Sequence, residues 1–219
     1  MAEPYELVAS SMVFGDSGSG KSYWAFYNAI AKAKAHHVIY VDYTGNTYRD
    51  FHKKLPGFEE LYIRGGWDAN RRKFLLLLAD KHMVIWHPRK DEDIQAMANY
   101  FWDLKEREYE NMDEIWIYLD EVDQTADRKA PVEFLFLKAR GCGIRCVGIS
   151  QRPGAVSNRN IVEQAVGAVV VFNVGTDEAF DVLPDYGLHM SQEDYDYIKE
   201  FHSYKAVVFD KTKHQWVRL

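Results

Sequence analysis

Short apolar runs alternate along the chain with stretches in which apolar side chains return every three or four positions. Leu7 to Phe14 reads as a first strand and Lys21 to about Lys34 as a helix. Val38 to Val41 follows as a second strand, ended by Asp42. Past Thr44-Gly45-Asn46 comes a short helical stretch, then an edge strand, Leu61-Tyr62-Ile63, that stops at Gly65-Gly66. Ala69 to Asp80 has helical character, and His82 to Trp86 reads as a buried strand. The longest predicted helix runs from Asp91 to Tyr109, with Ile94, Met97, Ala98, Phe101 and Leu104 on one face. Ile115-Trp116-Ile117-Tyr118-Leu119 is apolar throughout, as a strand covered on both faces requires.

Pro131 suits the first turn of a further helix, with Gly141 as its stop after Arg140. Arg145 to Ile149 and Ala168 to Val174 supply two more strands. Ser191 precedes a helix from Gln192 to Phe201, and Lys205 to Phe209 with Gln215 to Leu219 forms a closing hairpin. Strands alternating with helices predict a parallel sheet with crossover helices, hence an α/β class. No composition shift marks a boundary, so residues 1–219 are expected to form a single domain.

Composition changes this picture little. Among 219 residues, 47% are apolar and 15% aromatic, enough for a substantial core. No apolar run approaches the ~18 residues of a membrane span. The acidic start, Met1-Ala2-Glu3-Pro4-Tyr5-Glu6, lacks the basic region of a signal peptide, so a cytoplasmic location is expected. A formal charge of −6 excludes a protein that coats nucleic acid over its whole surface, but leaves room for a local basic patch. Cys142 and Cys146 are too few for a disulfide framework and read as packing residues.

The chemistry begins at Gly15-Asp16-Ser17-Gly18-Ser19-Gly20-Lys21-Ser22, which fits G-x-x-x-x-G-K-[ST] without exception. Such a match arises by chance in roughly one chain in a hundred of this length. A strand before it and a helix after it are what the physics needs. Glycines let backbone amides turn inward around phosphates, and the helix N-terminus adds a favourable dipole. Lys21 would reach the β- and γ-phosphates, and the Ser22 hydroxyl would ligate Mg²⁺.

Leu119-Asp120-Glu121 places two acids at the end of a buried strand. Asp120 is the metal-side acid, and Glu121 is placed to take a proton from the attacking water. A second adjacent acid points to hydrolysis rather than to phosphoryl transfer onto a small molecule. Gly148-Ile149-Ser150-Gln151-Arg152-Pro153 follows another strand. If that strand neighbours the one entering the phosphate loop, Gln151 can sense nucleotide or orient water. Alone, this turn is equally well an ordinary strand end.

These pieces together resemble the FtsK/HerA superfamily of DNA-pumping ATPases, from Val13 to about Val182. Lys138-Ala139-Arg140-Gly141-Cys142-Gly143-Ile144 stands where that family has its arginine-bearing segment, and Ser150-Gln151-Arg152-Pro153 where it has its glutamine turn. The resemblance implies an α/β P-loop NTPase fold of the ASCE, RecA-like type: a three-layer sandwich with a mainly parallel central sheet. With the loop beginning at residue 15, a lone motor domain is expected, lacking an N-terminal β-barrel or membrane anchor. That is similar to the genome-packaging ATPases of tailless icosahedral viruses with internal membranes, of the turreted archaeal type.

The resemblance further implies ATP and Mg²⁺ as cofactors, and a homo-oligomeric ring of six or five copies with hydrolysis at subunit interfaces. Duplex DNA would be driven into a preformed capsid in the host cytoplasm or at a virion's packaging vertex, alongside capsid or membrane vertex proteins. Arg140 holds the place of a trans-acting arginine finger. Arg152 and Arg145 are rivals, the latter weakened by lying inside a strand. Arg128, Lys129 and Arg159 are the candidate DNA contacts. Asn70-Arg71-Arg72-Lys73 is the densest basic cluster, yet it fits the solvated face of a helix, and Arg89 follows a strand whose end could approach nucleotide. Other readings are a non-viral DNA pump of the same family, an ATP-dependent switch that binds a partner protein, and a small-molecule kinase, for which no arginine-rich lid is evident.

Overall fold

The computed structural model describes residues 5–106, 114–122, 134–151, 153–156, 160–165, 167–173, 181–199 and 204–219. Within them the chain gathers into two compact units. One comprises Met1–Asn28, Glu121–Asp127 and Val147–Leu219; the other comprises Ala29–Asp120 and Arg128–Cys146.

The first unit is built on β1 (Ser11–Phe14), a four-residue strand buried along its whole length. It is parallel on one side to β6 (Ile144–Ser150) and on the other to β7 (Ala168–Phe172). The register aligns Phe14 with Ser150 and with Val171. The strand is shorter than the apolar run from Leu7 suggests: Leu7 is fully buried but lies outside the ladder. Beyond β7 the pairing turns antiparallel, through β8 (Ala206–Asp210) to β9 (Gln215–Arg218), the closing hairpin the sequence predicts. Helix α6 (Gln192–Lys199) comes after Ser191, whose hydroxyl accepts the Asp194 amide and caps it.

The second unit carries four parallel strands in the order β3 (Tyr62–Arg64), β4 (Met83–His87), β2 (His37–Val41), β5 (Ile115–Leu119). Helix α4 (Trp67–Lys81) brings Trp67 and Phe74 onto Trp86 of β4, with Phe74 edge-on to Trp86 at 5.6 Å, and α5 (Asp91–Glu106) packs Phe101 against Trp67 and Phe74. Edge-to-face packing of this kind adds to the stabilisation from area alone. The Trp86 indole donates to the Gly65 carbonyl, so its one polar atom is satisfied inside the core. A short helix, α2 (Asn46–Phe51), succeeds β2, and one turn, α3 (Phe58–Leu61), precedes β3.

The segment before β6 departs from expectation. Residues 131–133 lie outside the described residues, and the chain from Phe134 onward does not form one α-helix. Phe134–Lys138 is a π-helical turn and Ala139–Cys142 a 3₁₀ turn. Gly141 sits inside that turn; the left-handed glycine that ends it is Gly143, at φ 73°. Its carbonyl accepts the Ile115 amide and so starts β5. Among the described residues, no helix is long and apolar enough to cross a membrane.

Candidate nucleotide-binding site

The loop of residues 15–22 lies wholly in the first unit, between β1 and α1 (Lys21–Lys32). Strand pairing fixes its base. The Gly15 amide donates to the Ser150 carbonyl and the Asp16 amide to that of Asn173, so neighbouring strands anchor the first two residues. Gly15 has no room for a side chain: a Cβ would sit 2.6 Å from Ser19 Oγ and 2.7 Å from the Cβ of Phe172. Gly18 and Gly20 hold φ of 80° and 93°, a region that side chains resist.

Among the described residues, the backbone–backbone bonds at the loop use the amides of Gly15, Asp16 and Ser19. Lys21 is buried, and its Nζ donates to the Asp16 carbonyl at 3.2 Å, so the ammonium folds back over the loop. Ser19 Oγ is buried with no hydrogen-bond partner among the described residues. A buried hydroxyl donor beside a buried cation, at the N-terminal end of α1, forms a surface that an oxygen-rich anion would satisfy. The residues present therefore fit a polyphosphate. Within the same unit, the hydroxyl of Ser22 is a hard oxygen donor of the kind Mg²⁺ takes.

Gln151 also belongs to this unit. Because β6 is the parallel neighbour of β1, with Phe14 opposite Ser150, Gln151 emerges level with Gly15. The condition on which its candidacy depended is met. Glu121, two residues past the last residue of β5, is half-buried and in a left-handed conformation at φ 56°. Non-glycine residues rarely adopt it, and such strain often persists where a side chain must be aimed.

Asp120 is described within the second unit. It is buried at the tip of β5, and its amide donates to the Val41 carbonyl. The β2–β5 register sets it beside Asp42, the fully buried acid at the tip of β2. The two Asp42 oxygens accept the amides of Thr47 and Tyr48 at 3.0 and 2.9 Å, so this carboxylate caps α2 in place of its glycine N-cap, Gly45. Burial pushes the Asp42 carboxyl up, against the pull of those amides. The Thr47 hydroxyl reaches Asp120 Oδ2 at a long 3.5 Å. Tyr40, fully buried on β2, has its hydroxyl pushed well up, first by burial and then by the charge of Asp120. The sequence shows Asp42 only as the end of a strand. Its signal was the same as that of Asp120, an acid closing an apolar run.

The arginine candidates separate. Arg145 pairs with Glu114 at 2.9 Å inside the second unit, an engagement that suits a structural role. The side chain of Arg140 and all of Arg152, Arg128, Lys129 and Arg159 lie outside the described residues. Arg71, Arg72 and Lys73 are exposed on α4, where Arg71 stacks over Tyr100, as the solvated face of a helix does. The backbone amide of Arg89 caps onto Asp93 in the second unit. Cys146 is a buried free thiol, pushed well up by burial and unsuited to reaction.

A strand–glycine loop–helix unit with an acid-tipped parallel strand defines the class: a P-loop nucleotide-binding α/β fold. No family model matches the chain, and no curated protein does. Solved structures do. The genome packaging NTPase B204 of Sulfolobus turreted icosahedral virus 2, in complex with AMPPCP, aligns over 96% of both chains at 16% identity and a TM-score of 0.61. VirB4 of Thermoanaerobacter pseudethanolicus aligns over 96% of this chain and 88% of its own at 11% identity and a TM-score of 0.66. The pCW3 conjugation coupling protein TcpA, with ATPγS, aligns over 96% and 59% at 13% identity and 0.62. At such identities the shared property is the fold, and it is the mainly parallel P-loop ATPase fold that the motifs imply.

Proposed function

We propose that this chain is an ATP-driven motor that moves double-stranded DNA, acting as a ring of copies that packages a viral genome into a capsid. The observation that carries the reading is the loop of residues 15–22. It presents a buried lysine and a buried hydroxyl without a hydrogen-bond partner among the described residues, over a glycine that tolerates no Cβ.

In this reading the loop and Lys21 bind the triphosphate, and Ser22 with Asp120 hold Mg²⁺, which offsets phosphate charge. Glu121 accepts a proton from water as the water oxygen bonds to the γ-phosphorus and the bond to the bridging oxygen of ADP breaks. Gln151 orients that water. Arg140, or its rival Arg152, reaches the γ-phosphate of a neighbouring copy; such a finger contributes about 10³-fold or more to the rate. Arg128, Lys129 and Arg159 grip DNA phosphates without reading sequence. Support for DNA as the substrate comes from the company the fold keeps: B204 is a genome packaging NTPase and TcpA a conjugation coupling protein.

The test is ATPase rate against added long duplex DNA, with oligomer size measured in parallel. The expected result is a ring whose turnover rises with DNA of any sequence, and whose DNA affinity falls steeply with salt. Turnover indifferent to duplex DNA in an assembled ring would favour a partner-binding switch instead.

A further inference from the structure

Four large apolar or aromatic side chains stand exposed among the described residues: Val8, Tyr27, Leu76 and Tyr204. Tyr204 differs from the rest because its ring lies against the phosphate loop. A Cβ built on Gly20 would meet Tyr204 Cδ1 at 2.7 Å, so ring and loop backbone are in van der Waals contact. The ring nonetheless remains 60% exposed.

Strand pairing brings it there. Phe172, the last residue of β7, packs beneath Gly15 and pairs with Ala206, the first residue of β8. Tyr204 is two residues before Ala206, so the approach to β8 carries it to the other end of the same loop. Gly15 and Gly20, the first and last glycines of the motif, are thus flanked by two aromatic residues, Phe172 at the end of β7 and Tyr204 just before β8. One ring is buried and structural; the other is open.

From this we infer that Tyr204 is the platform on which the heterocycle of a bound nucleoside triphosphate stacks. The inference rests on the nucleotide-binding reading of the loop. A polyphosphate in the loop tethers a ribose and base a few bonds away, and the open flat ring touching that loop is the surface the base can cover. Stacking on an aromatic face tolerates any base, but favours the larger one. Tyr204 therefore sets a preference for purine over pyrimidine and gives affinity that phosphate contacts alone do not. Tyr23, which directly follows the motif, is turned onto Tyr27, with ring centres 4.7 Å apart and a hydroxyl contact of 3.2 Å.

Calorimetric affinities for ATP, CTP, ribose 5-triphosphate and inorganic tripolyphosphate, each with Mg²⁺, test the inference on the full chain. The variants compared are Tyr204→Phe, Tyr204→Ala and Tyr23→Ala, with melting curves to confirm folding. The wild type is expected to bind ATP about tenfold or more tightly than ribose 5-triphosphate, with CTP between them. Tyr204→Ala loses that difference and leaves tripolyphosphate affinity unchanged, whereas Tyr204→Phe keeps it. An ATP preference intact in Tyr204→Ala, or lost only in Tyr23→Ala, overturns the inference. A wild type that binds all four equally also overturns it, but spares the phosphate loop. Should it bind none, both readings fall together.

Discussion

Gly15 shows how little freedom the phosphate loop has. Its missing side chain leaves the space that Ser19 Oγ and Phe172 occupy, and its amide is tied to Ser150. Gly15→Ala should therefore displace the loop from the tip of β7. A loss of about 1–3 kcal/mol in stability is expected, as for overpacking elsewhere, together with weaker nucleotide binding. Thermal melting and ATP calorimetry on the variant check this; unchanged values in both would mean the loop relaxes without cost. The glycine–lysine motif was legible in the sequence because each of its residues is demanded by local backbone chemistry. Tyr204 was not legible, since its place at Gly20 depends on a strand pairing between distant parts of the chain. The strained φ of Glu121 was equally out of reach, for it is a property of the turn and not of the residue type.

Among the elements, the apolar runs located the parallel strands well because their burial on both faces leaves almost no polar positions. Ile115–Leu119 matches its predicted run residue for residue, and its carboxyl-terminal acid falls where the pattern puts it. The segment from residue 134 to residue 142 did not match, and the reason is local. Phe134, Leu135 and Phe136 are apolar in succession rather than at helical spacing, and the chain there winds as a π turn and then a 3₁₀ turn. Asp42 ties β2 to α2, a link that no short-range motif announces. Asp42→Ala would leave the Thr47 and Tyr48 amides without their acceptor, at a cost of at least about 1 kcal/mol. Its urea midpoint should fall accordingly, with Asp42→Asn intermediate because one acceptor oxygen survives. A midpoint unmoved by Asp42→Ala would show that solvent or another donor arrangement replaces the cap.

At the scale of the whole molecule, fold class and motif order were readable because a P-loop fold is written in short, separated signals. Assembly is not written that way. Arg140 acts, in the proposed reading, only across a boundary between copies, and the DNA-gripping cations act only as a ring. In that reading turnover is a property of the assembly, whereas nucleotide binding belongs to one chain. On the same reading Glu121 divides the two: it would take a proton during hydrolysis and contribute little to holding ATP. The most direct measurement is ATP affinity alongside single-turnover hydrolysis for Glu121→Gln, in the DNA-stimulated ring. The account predicts affinity within a few-fold of wild type and hydrolysis slowed by about 10²-fold or more. Full hydrolysis by that variant would contradict it.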